Sequence, residues 1–263
     1  MFDALGVDPA AAQTMLWDIL PFVAVGFAAQ MVDGALGMAF GVIANTMLLA
    51  LGVPPAVASG QVHVIKVFTG GMSGASHALH KNVDWKLFTR LTISGVIGGV
   101  LGAYVLTQID AEVAKPFVLG YLTLIGLFLL WRAWDHVHIE RHATIIEPLG
   151  VVGGFLDAGG GGGWGPVVTS NLLIQGHNPR MTVGTVNTSE FIIAIAISIT
   201  FLVSLGWEDF SAAVIGLLVG GVLAAPLGAW LTKRIPARPL MLLVGVVLTV
   251  TSLFGIAKAL ALI

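Results

Sequence analysis

Two of the long apolar runs in this chain are interrupted near their middle by an aspartate and a cluster of glycines. The first run covers about residues 18–50 with a break at 33–37, and the second covers about residues 145–173 with a break after Asp157. About 20 residues cross the hydrocarbon of a bilayer, so each run is too long for one straight helix and short for two spans. The pattern predicts a re-entrant hairpin or a long broken helix at both places.

Three uninterrupted apolar segments follow each broken run and predict full-length helices. The first set covers about residues 56–79, 87–107 and 113–134, and the second covers about residues 181–205, 210–232 and 240–261. One offset of 124 residues relates the two sets, since it carries Asp33 to Asp157 and Lys66 to Glu190. The sequence therefore predicts a duplication, with a first repeat at 1–135, a connecting loop at 136–142 and a second repeat at 143–263, integrated into one domain.

Composition places the chain in a membrane. Of its 263 residues 57% are hydrophobic and 10% are charged, and the mean hydropathy is +0.95, which is typical of an integral membrane protein. The net charge of −2 without a basic stripe gives no reason to expect a nucleic-acid partner. Because cysteine is absent, disulfides and thiolate metal sites are excluded. We expect an all-α polytopic membrane protein without a cofactor.

The positions of lysine and arginine indicate how the broken runs are placed, because cytoplasmic loops carry the excess of these residues. If each broken run crosses the membrane once, the two sides carry six and five basic residues, and Lys81 and Arg180 lie on opposite sides. If each run enters and leaves on one side, nine gather on one side and two on the other. The second arrangement is favoured, and it predicts two re-entrant hairpins, six full spans and two repeats in inverted orientation, with both termini outside.

The glycine breaks indicate a site between the two hairpin tips. A break in the backbone at membrane depth is tolerated only where it faces protein or a water-filled cavity, and a helix that restarts there directs N–H groups and a positive dipole end into that space. Transporter sites are often built from interrupted segments of two repeats. We therefore predict an anion site lined by Gly37, Gly161 and Gly162, with close helix packing as the alternative role of these glycines.

Lys66 and Glu190 lie at equivalent positions, deep in predicted apolar helices. An ionisable side chain at the bilayer centre costs about 2.5–3.5 kcal/mol or more, so it is expected to be paired or functional. Either the two residues form a structural bridge, or Lys66 attracts an anion while Glu190 carries a proton. One turn before them, His63 and Asn187 can donate hydrogen bonds to an oxyanion, although a packing role for His63 is equally open. His77 is expected at the membrane interface.

Asp33 and Asp157 also allow two roles. Each can cap the second arm of its hairpin by accepting backbone N–H bonds, or it can titrate and couple transport to protons. A carboxylate close to an anion site would repel the substrate, which favours the capping role. The glycine run at 159–163 is not followed by the Lys-Ser/Thr pair of a nucleotide-binding loop, and no zinc-protease or nucleophile-elbow spacing occurs. We do not expect an enzyme.

Several longer motifs resemble those of one known family. They are VDGALGMAFGV at 32–42, GVPPAVASGQVHVIKVFT at 52–69, DAGGGGGWGPVVTSNLL at 157–173 and NPRMTVGTVNTSEF at 178–191. With these motifs the chain resembles the sulfite exporter TauE/SafE family of membrane transporters, also called the TSUP family, over nearly its whole length. The family often has an acidic residue where this chain has Lys66, a difference that leaves Glu190 as the main proton-coupling candidate.

The resemblance implies a multi-pass protein of the bacterial cytoplasmic membrane that exports or takes up a small sulfur-containing or organic anion, such as sulfite, sulfoacetate or a related sulfonate. It also implies coupling to the proton gradient. The partners would be this solute and the lipid bilayer, and assembly into a homo-oligomer is left open. A secondary transporter that works by alternating access, most simply as an exporter, is the preferred function. A passive anion channel is the alternative.

Overall fold

The computed structural model describes residues 9–134, 145–175, 177–206, 211–231 and 237–259. These residues form helices joined by turns, and no strand occurs among them. The first half contains α1 (Pro9–Leu36), α2 (Phe40–Ala50), α3 (Pro55–Leu79), α4 (Trp85–Thr107) and α5 (Ala111–Trp134). The second contains α6 (Glu147–Gly160), a π-helical turn (Gly165–Thr169), α7 (Ser170–Ile174), α8 (Pro179–Leu205), α9 (Ala212–Leu231) and α10 (Ala237–Ala259).

The predicted all-α polytopic fold is confirmed. Within the described residues, four segments are long and apolar enough to cross a membrane: Trp85–Thr107, Ala111–Trp134, Pro179–Leu205 and Met241–Lys258. The exposed surface is rich in large apolar side chains such as Phe117 (74% exposed) and Val203 (82% exposed), whereas His63 and Asp157 are fully buried. This reverses the arrangement of a water-soluble protein and fits a surface in contact with lipid. The predicted connecting loop at 136–142 lies outside the described residues.

Each broken run consists of two helical arms separated by a break that begins with a glycine in the left-handed conformation, and the second arm of the second run starts as a π-helical turn. Gly37 has φ +67° after α1, and Gly161 has φ +69° after α6. Glycine adopts this conformation without strain and commonly ends helices in this way. The first break covers residues 37–39, slightly later than predicted, because Asp33 still belongs to the last turn of α1.

Asp33 and Asp157 cap the arms that follow the breaks. Asp33 Oδ1 accepts a hydrogen bond from the backbone N–H of Phe40 at 3.2 Å. Asp157 Oδ1 accepts from the N–H groups of Gly163 at 2.8 Å and Trp164 at 3.1 Å. These bonds satisfy donors that a restarting helix would otherwise leave unpaired. The capping geometry expected of the two aspartates is therefore present in both halves.

Helices α3 and α8 pack closely in antiparallel directions at the centre of the fold. Near the start of α3, Gly60 faces Phe201 in the last part of α8, and towards the end of α3, Gly74 faces Thr188 in the first part of α8. The glycines allow this approach because they have no Cβ. The end of α3 therefore lies beside the start of α8.

The other principal helix pairs also join one helix from each half. Helix α1 packs on α9, α4 packs on α6, and α5 packs on α10. Gly216 of α9 faces Ile19 and Gly220 faces Val23, so α1 and α9 run parallel. The packing exchanges helices between the halves, so neither half has a separate core.

Two polar contacts show which helix ends lie together. Arg90, near the start of α4, pairs with Glu147 at the start of α6, with 2.6 Å between Nε and Oε1. Arg180, in the first turn of α8, donates to the carbonyl oxygen of His80 immediately after α3, at 2.8 Å. The end of α3 and the starts of α4, α6 and α8 therefore share one end of the helix bundle. We call this the basic end, defined by residues 80–90, Glu147 and Arg180.

The contacts decide between the two arrangements of the broken runs. The arrangement in which each run crosses once is wrong, because it separates Lys81 from Arg180, whereas Arg180 contacts the neighbouring His80. The second hairpin starts and finishes at the basic end. Helix α3 starts at the opposite end, and α1 runs parallel to α9, which also starts there. The first hairpin thus enters and leaves the bundle at the end opposite to the second.

Candidate functional site

Lys66 lies at the centre of a buried cluster of charged groups. Its Nζ is 3.0 Å from both carboxylate oxygens of Asp157 and 2.7 Å from Oε1 of Glu190. Helix α3 supplies the lysine, α6 supplies Asp157 and α8 supplies Glu190, and both carboxylates belong to the second half. The expected contact between Lys66 and Glu190 is therefore present, and Asp157 joins it.

His63, one turn before Lys66, contacts the same carboxylate. Its Nε2 lies 3.1 Å from Asp157 Oδ2, and its Nδ1 lies 2.7 Å from the carbonyl oxygen of Ser59. A carbonyl oxygen only accepts, so Nδ1 carries a proton. The contact between Nε2 and the carboxylate needs a second proton, which resides on Nε2 or on Asp157. His63 and Asp157 together therefore hold one proton beyond those of a neutral imidazole and a carboxylate.

This extra proton balances the charge of the cluster. Lys66 and the extra proton contribute two positive charges, and the carboxylates of Asp157 and Glu190 contribute two negative charges. All four groups are buried, with Glu190 the most accessible at 8% exposure. Buried charges persist only when they are paired in this way. Across the described residues, no group of three or more His, Asp or Glu side chains is placed to hold a metal ion.

The tips of the two hairpins touch beside this cluster. A Cβ on Gly162 would collide with backbone atoms of Gly41 and Val42, and a Cβ on Gly41 would lie 3.3 Å from Lys66 Nζ. The glycines thus allow the backbones of the two breaks to meet, as glycine does where backbones approach closely. Gly37 belongs to the same contact, since Thr169 Oγ1 donates to its carbonyl oxygen at 2.9 Å.

A second hydrogen bond joins the tips in the opposite direction. Asn45 Nδ2 donates to the carbonyl oxygen of Gly160 at 2.7 Å. Asn45 and Thr169 are separated by the same offset of 124 residues as the repeats. Each second arm therefore holds the break of the other hairpin, which fixes the position of the tips relative to Lys66.

Asn187 lies further along the groove between α3 and α8. Its Nδ2 is 3.4 Å from Ser73 Oγ and 3.4 Å from His77 Nε2, so its hydrogen-bond contacts are not with His63 or Lys66. His77 is fully buried in protein near the end of α3, and its depth at the membrane interface stays a prediction. The start of α8 covers this part of α3, which the sequence of α3 alone does not reveal.

Three residues at the site had no assigned role in the sequence interpretation. Asn45 and Thr169 join the tips, and Tyr121 of α5 packs against Gly160 and Gly163, where a Cβ would overlap its ring or hydroxyl. The offset of 124 residues could have identified Asn45 and Thr169 as equivalent polar positions in the second arms. Tyr121 could have been noticed as one of only two tyrosines, set within an apolar helix.

Comparison with known proteins agrees with a membrane-protein fold. The profile of the family described as "Sulfite exporter TauE/SafE" matches residues 22–255. The chain is 45% identical over 236 residues to the probable membrane transporter protein YtnM of Bacillus subtilis (strain 168), covering 86% of this chain and 79% of that protein. It is 25% identical to the probable membrane transporter protein YjnA of the same organism, covering 84% of this chain and 92% of that protein. No solved structure matches the chain.

The matched residues include both glycine breaks, Lys66 and Glu190. The match covers most of the chain and the relative at 45% identity is itself named a transporter. The chain is therefore a membrane transporter protein that belongs to the sulfite exporter TauE/SafE family.

Proposed function

We propose that the protein is a proton-coupled secondary transporter that exports a small sulfur-containing or organic oxyanion, such as sulfite, sulfoacetate or a related sulfonate, from the bacterial cytoplasm. One observation carries the proposal. The ammonium group of Lys66 is held by two carboxylates at the contact between two hairpins that enter from opposite ends. It is a buried cation that an oxyanion can bind only by replacing one of its present partners.

Displacement of the Glu190 carboxylate from Lys66 by the anion couples anion binding to proton uptake. When the oxyanion pairs with Lys66, the Glu190 carboxylate loses the cation 2.7 Å away. A buried carboxylate without a partner is strongly unfavourable, so Glu190 takes up a proton as the anion binds. This proton balances the charge that the anion brings, so the charge of the cluster stays balanced.

The other predicted site residues have supporting roles in this proposal. His63 and Asp157 store the extra proton that they share. Asp33 has the equivalent position in the first half, where it caps Phe40. Gly37, Gly161 and Gly162 allow the tips to approach the anion, whereas Asn187 lies beyond Lys66 towards the basic end, beside Ser73 and His77.

The arrangement of the hairpins supports alternating access. We infer two inverted repeats with six full spans, in which the basic end faces the cytoplasm because cytoplasmic surfaces carry the excess of Lys and Arg. In this conformation the tips touch and are joined by the hydrogen bonds of Asn45 and Thr169. Contact between the tips favours a carrier over a passive channel, since a carrier needs a closed barrier that changes sides.

Counterflow in proteoliposomes tests the proposal. Vesicles containing the purified protein are loaded with unlabelled sulfite under anaerobic conditions, and the entry of labelled sulfite is followed with and without a proton gradient. The proposal predicts transient accumulation of label above its external concentration and a response to the proton gradient. Uptake that only equilibrates, without counterflow, would indicate a channel. Empty vesicles and vesicles with the Lys66→Ala variant are the controls.

A further inference from the structure

We propose that the groove between α3 and α8 contains a second oxyanion site, formed by Ser73, His77 and Asn187, with Arg180 as the gate at the basic end. The inference rests on the proposed function only for the class of ligand, a small oxyanion. Ser73, His77 and Asn187 are each at most 1% exposed. The site is separate from the Lys66 cluster and lies between that cluster and the basic end.

The hydrogen bonds around His77 determine where its proton lies. Arg180 Nε donates to Asn82 Oδ1, which directs the amide nitrogen of Asn82 towards His77, 3.2 Å from Nδ1. An amide nitrogen only donates, so His77 Nδ1 accepts and carries no proton. The neutral ring therefore carries its proton on Nε2. Arg180 thus sets the tautomer of a buried histidine through Asn82.

The proton on His77 Nε2 points towards the amide nitrogen of Asn187, which is another donor. Asn187 Nδ2, also a donor, lies 3.4 Å from Nε2, and Oδ1 of Asn187 is buried without a hydrogen-bond partner. Turning the amide over would satisfy His77 and leave Nδ2 unpaired instead. In either orientation one amide atom of Asn187 is unmatched, and an unmatched buried polar group costs about 1–3 kcal/mol.

An oxyanion supplies an acceptor for His77 Nε2–H and for the donors beside it. Its oxygens can accept together from His77 Nε2–H, from an amide N–H of Asn187 and from the hydroxyl of Ser73. Neutral donors suit a ligand that has to dissociate during transport, because each hydrogen bond from a neutral donor is weaker than one from a charged donor. Ser73 is about 10 Å from Lys66 along α3 by helix rise, and Asn187 is one turn from Glu190. An anion that leaves the Lys66 cluster for the basic end reaches this site next.

Arg180 closes the basic end of the groove. It is exposed and uses its guanidinium on the side chain of Asn82 and on the carbonyl oxygen of His80, the latter at 2.8 Å. A guanidinium binds oxyanions in a bidentate manner more favourably than it binds a neutral amide. An anion at the basic end can therefore draw Arg180 away from Asn82. This exchange opens the groove and releases the amide that holds His77.

Histidine NMR tests the site directly. The protein is labelled with ¹⁵N-histidine, the His77 resonances are assigned by their loss in His77→Gln, and sulfite is titrated into wild type, Lys66→Ala and Asn187→Ala. We expect a saturable shift of His77 Nε2 in wild type and in Lys66→Ala, and at least about a fivefold weaker midpoint in Asn187→Ala, the factor for one lost hydrogen bond. Sulfate is titrated as a second probe.

The outcomes separate this site from the proposed function. If the protein transports sulfite but the His77 resonance does not shift, the second site alone is overturned. The unmatched donors would then be hydrogen-bonded to buried water. A shift in wild type that disappears in Lys66→Ala also overturns it, because the effect then comes from the Lys66 cluster. A His77 shift in a protein that shows no transport supports the site and contradicts the proposed function.

A matched pair of variants tests the gate. Arg180→Gln removes the guanidinium that holds Asn82, whereas Lys81→Gln removes an exposed charge at the same end of the bundle. We expect Arg180→Gln to speed both binding and release of sulfite at His77 severalfold, with little change in the midpoint. Lys81→Gln should change neither rate. Equal rates in Arg180→Gln and wild type would overturn the role of Arg180 as a gate.

Discussion

Lys66 Nζ lies 2.7 Å from Glu190 Oε1, although the two residues occupy the same position in the two halves of the chain. Equivalent positions therefore meet at the centre of the protein with opposite charges. Asp157 completes the cluster, whereas its equivalent Asp33 caps the other hairpin. The two halves thus differ in charge at the point where they meet.

Removal of the lysine should destabilise the protein, and removal of one carboxylate should compensate in part. In Lys66→Ala the buried Asp157 and Glu190 carboxylates lose their cation, and breaking a buried pair in this way costs about 3–5 kcal/mol. We expect a lower melting temperature in Lys66→Ala and partial recovery in the double variant with Glu190→Gln. The exposed Lys86→Ala is the control. Additive losses in the double variant would show that the pair is not coupled.

The repeated pattern was sufficient to predict the hairpins, the capping aspartates and the Lys66–Glu190 contact. These features follow from local chemistry and from one offset that can be read along the chain. The contact between Asp157 and Lys66 was not predicted, because it depends on how α6 lies against α3. The environment of His77 was missed for the same reason, since residues from the start of α8 cover it.

A methyl group should be tolerated at a glycine near the end of α6 and not at a glycine in the second break. A Cβ on Gly162 collides with the backbone of Gly41 and Val42, whereas a Cβ on Gly159 meets no atom within 4 Å. We expect Gly162→Ala to lower both stability and transport and Gly159→Ala to resemble wild type. Melting curves and sulfite flux in proteoliposomes measure the two effects. Similar behaviour of the two variants would contradict the tip contact.

The two capping aspartates should respond differently to loss of charge. In Asp33→Asn the side-chain oxygen can still accept from Phe40, so the cap is retained. Asp157→Asn keeps an acceptor for Gly163 but removes the carboxylate between His63 and Lys66. We expect much less transport and lower stability in Asp157→Asn than in Asp33→Asn. Equal losses in both variants would indicate that only the cap matters.

The placement of the hairpins can be tested by labelling from outside the cell. The chain has no cysteine, so single cysteines can be introduced without a background. We expect Lys81→Cys and Asn178→Cys to be shielded from an impermeant thiol reagent in intact cells, and Lys115→Cys to react. Labelling of all three in permeabilised cells is the control. Reaction of Lys81→Cys from outside would contradict the cytoplasmic position of the basic end.

The pH dependence of transport tests the central role of Glu190. A sulfonate that stays fully ionised over the range is used as the substrate, so that only the protein titrates. Because anion binding requires a proton on Glu190, transport by the wild type should fall as the pH rises. Glu147→Gln, which removes an exposed carboxylate paired with Arg90, should keep the wild-type profile.

The most direct measurement is therefore sulfonate flux against pH in Glu190→Gln proteoliposomes, beside wild type and Glu147→Gln. The amide of the variant is neutral at every pH and leaves Asp157 as the carboxylate partner of Lys66. We predict a flux that no longer depends on pH in Glu190→Gln. A profile in Glu190→Gln that falls with rising pH as in wild type would contradict proton coupling through Glu190.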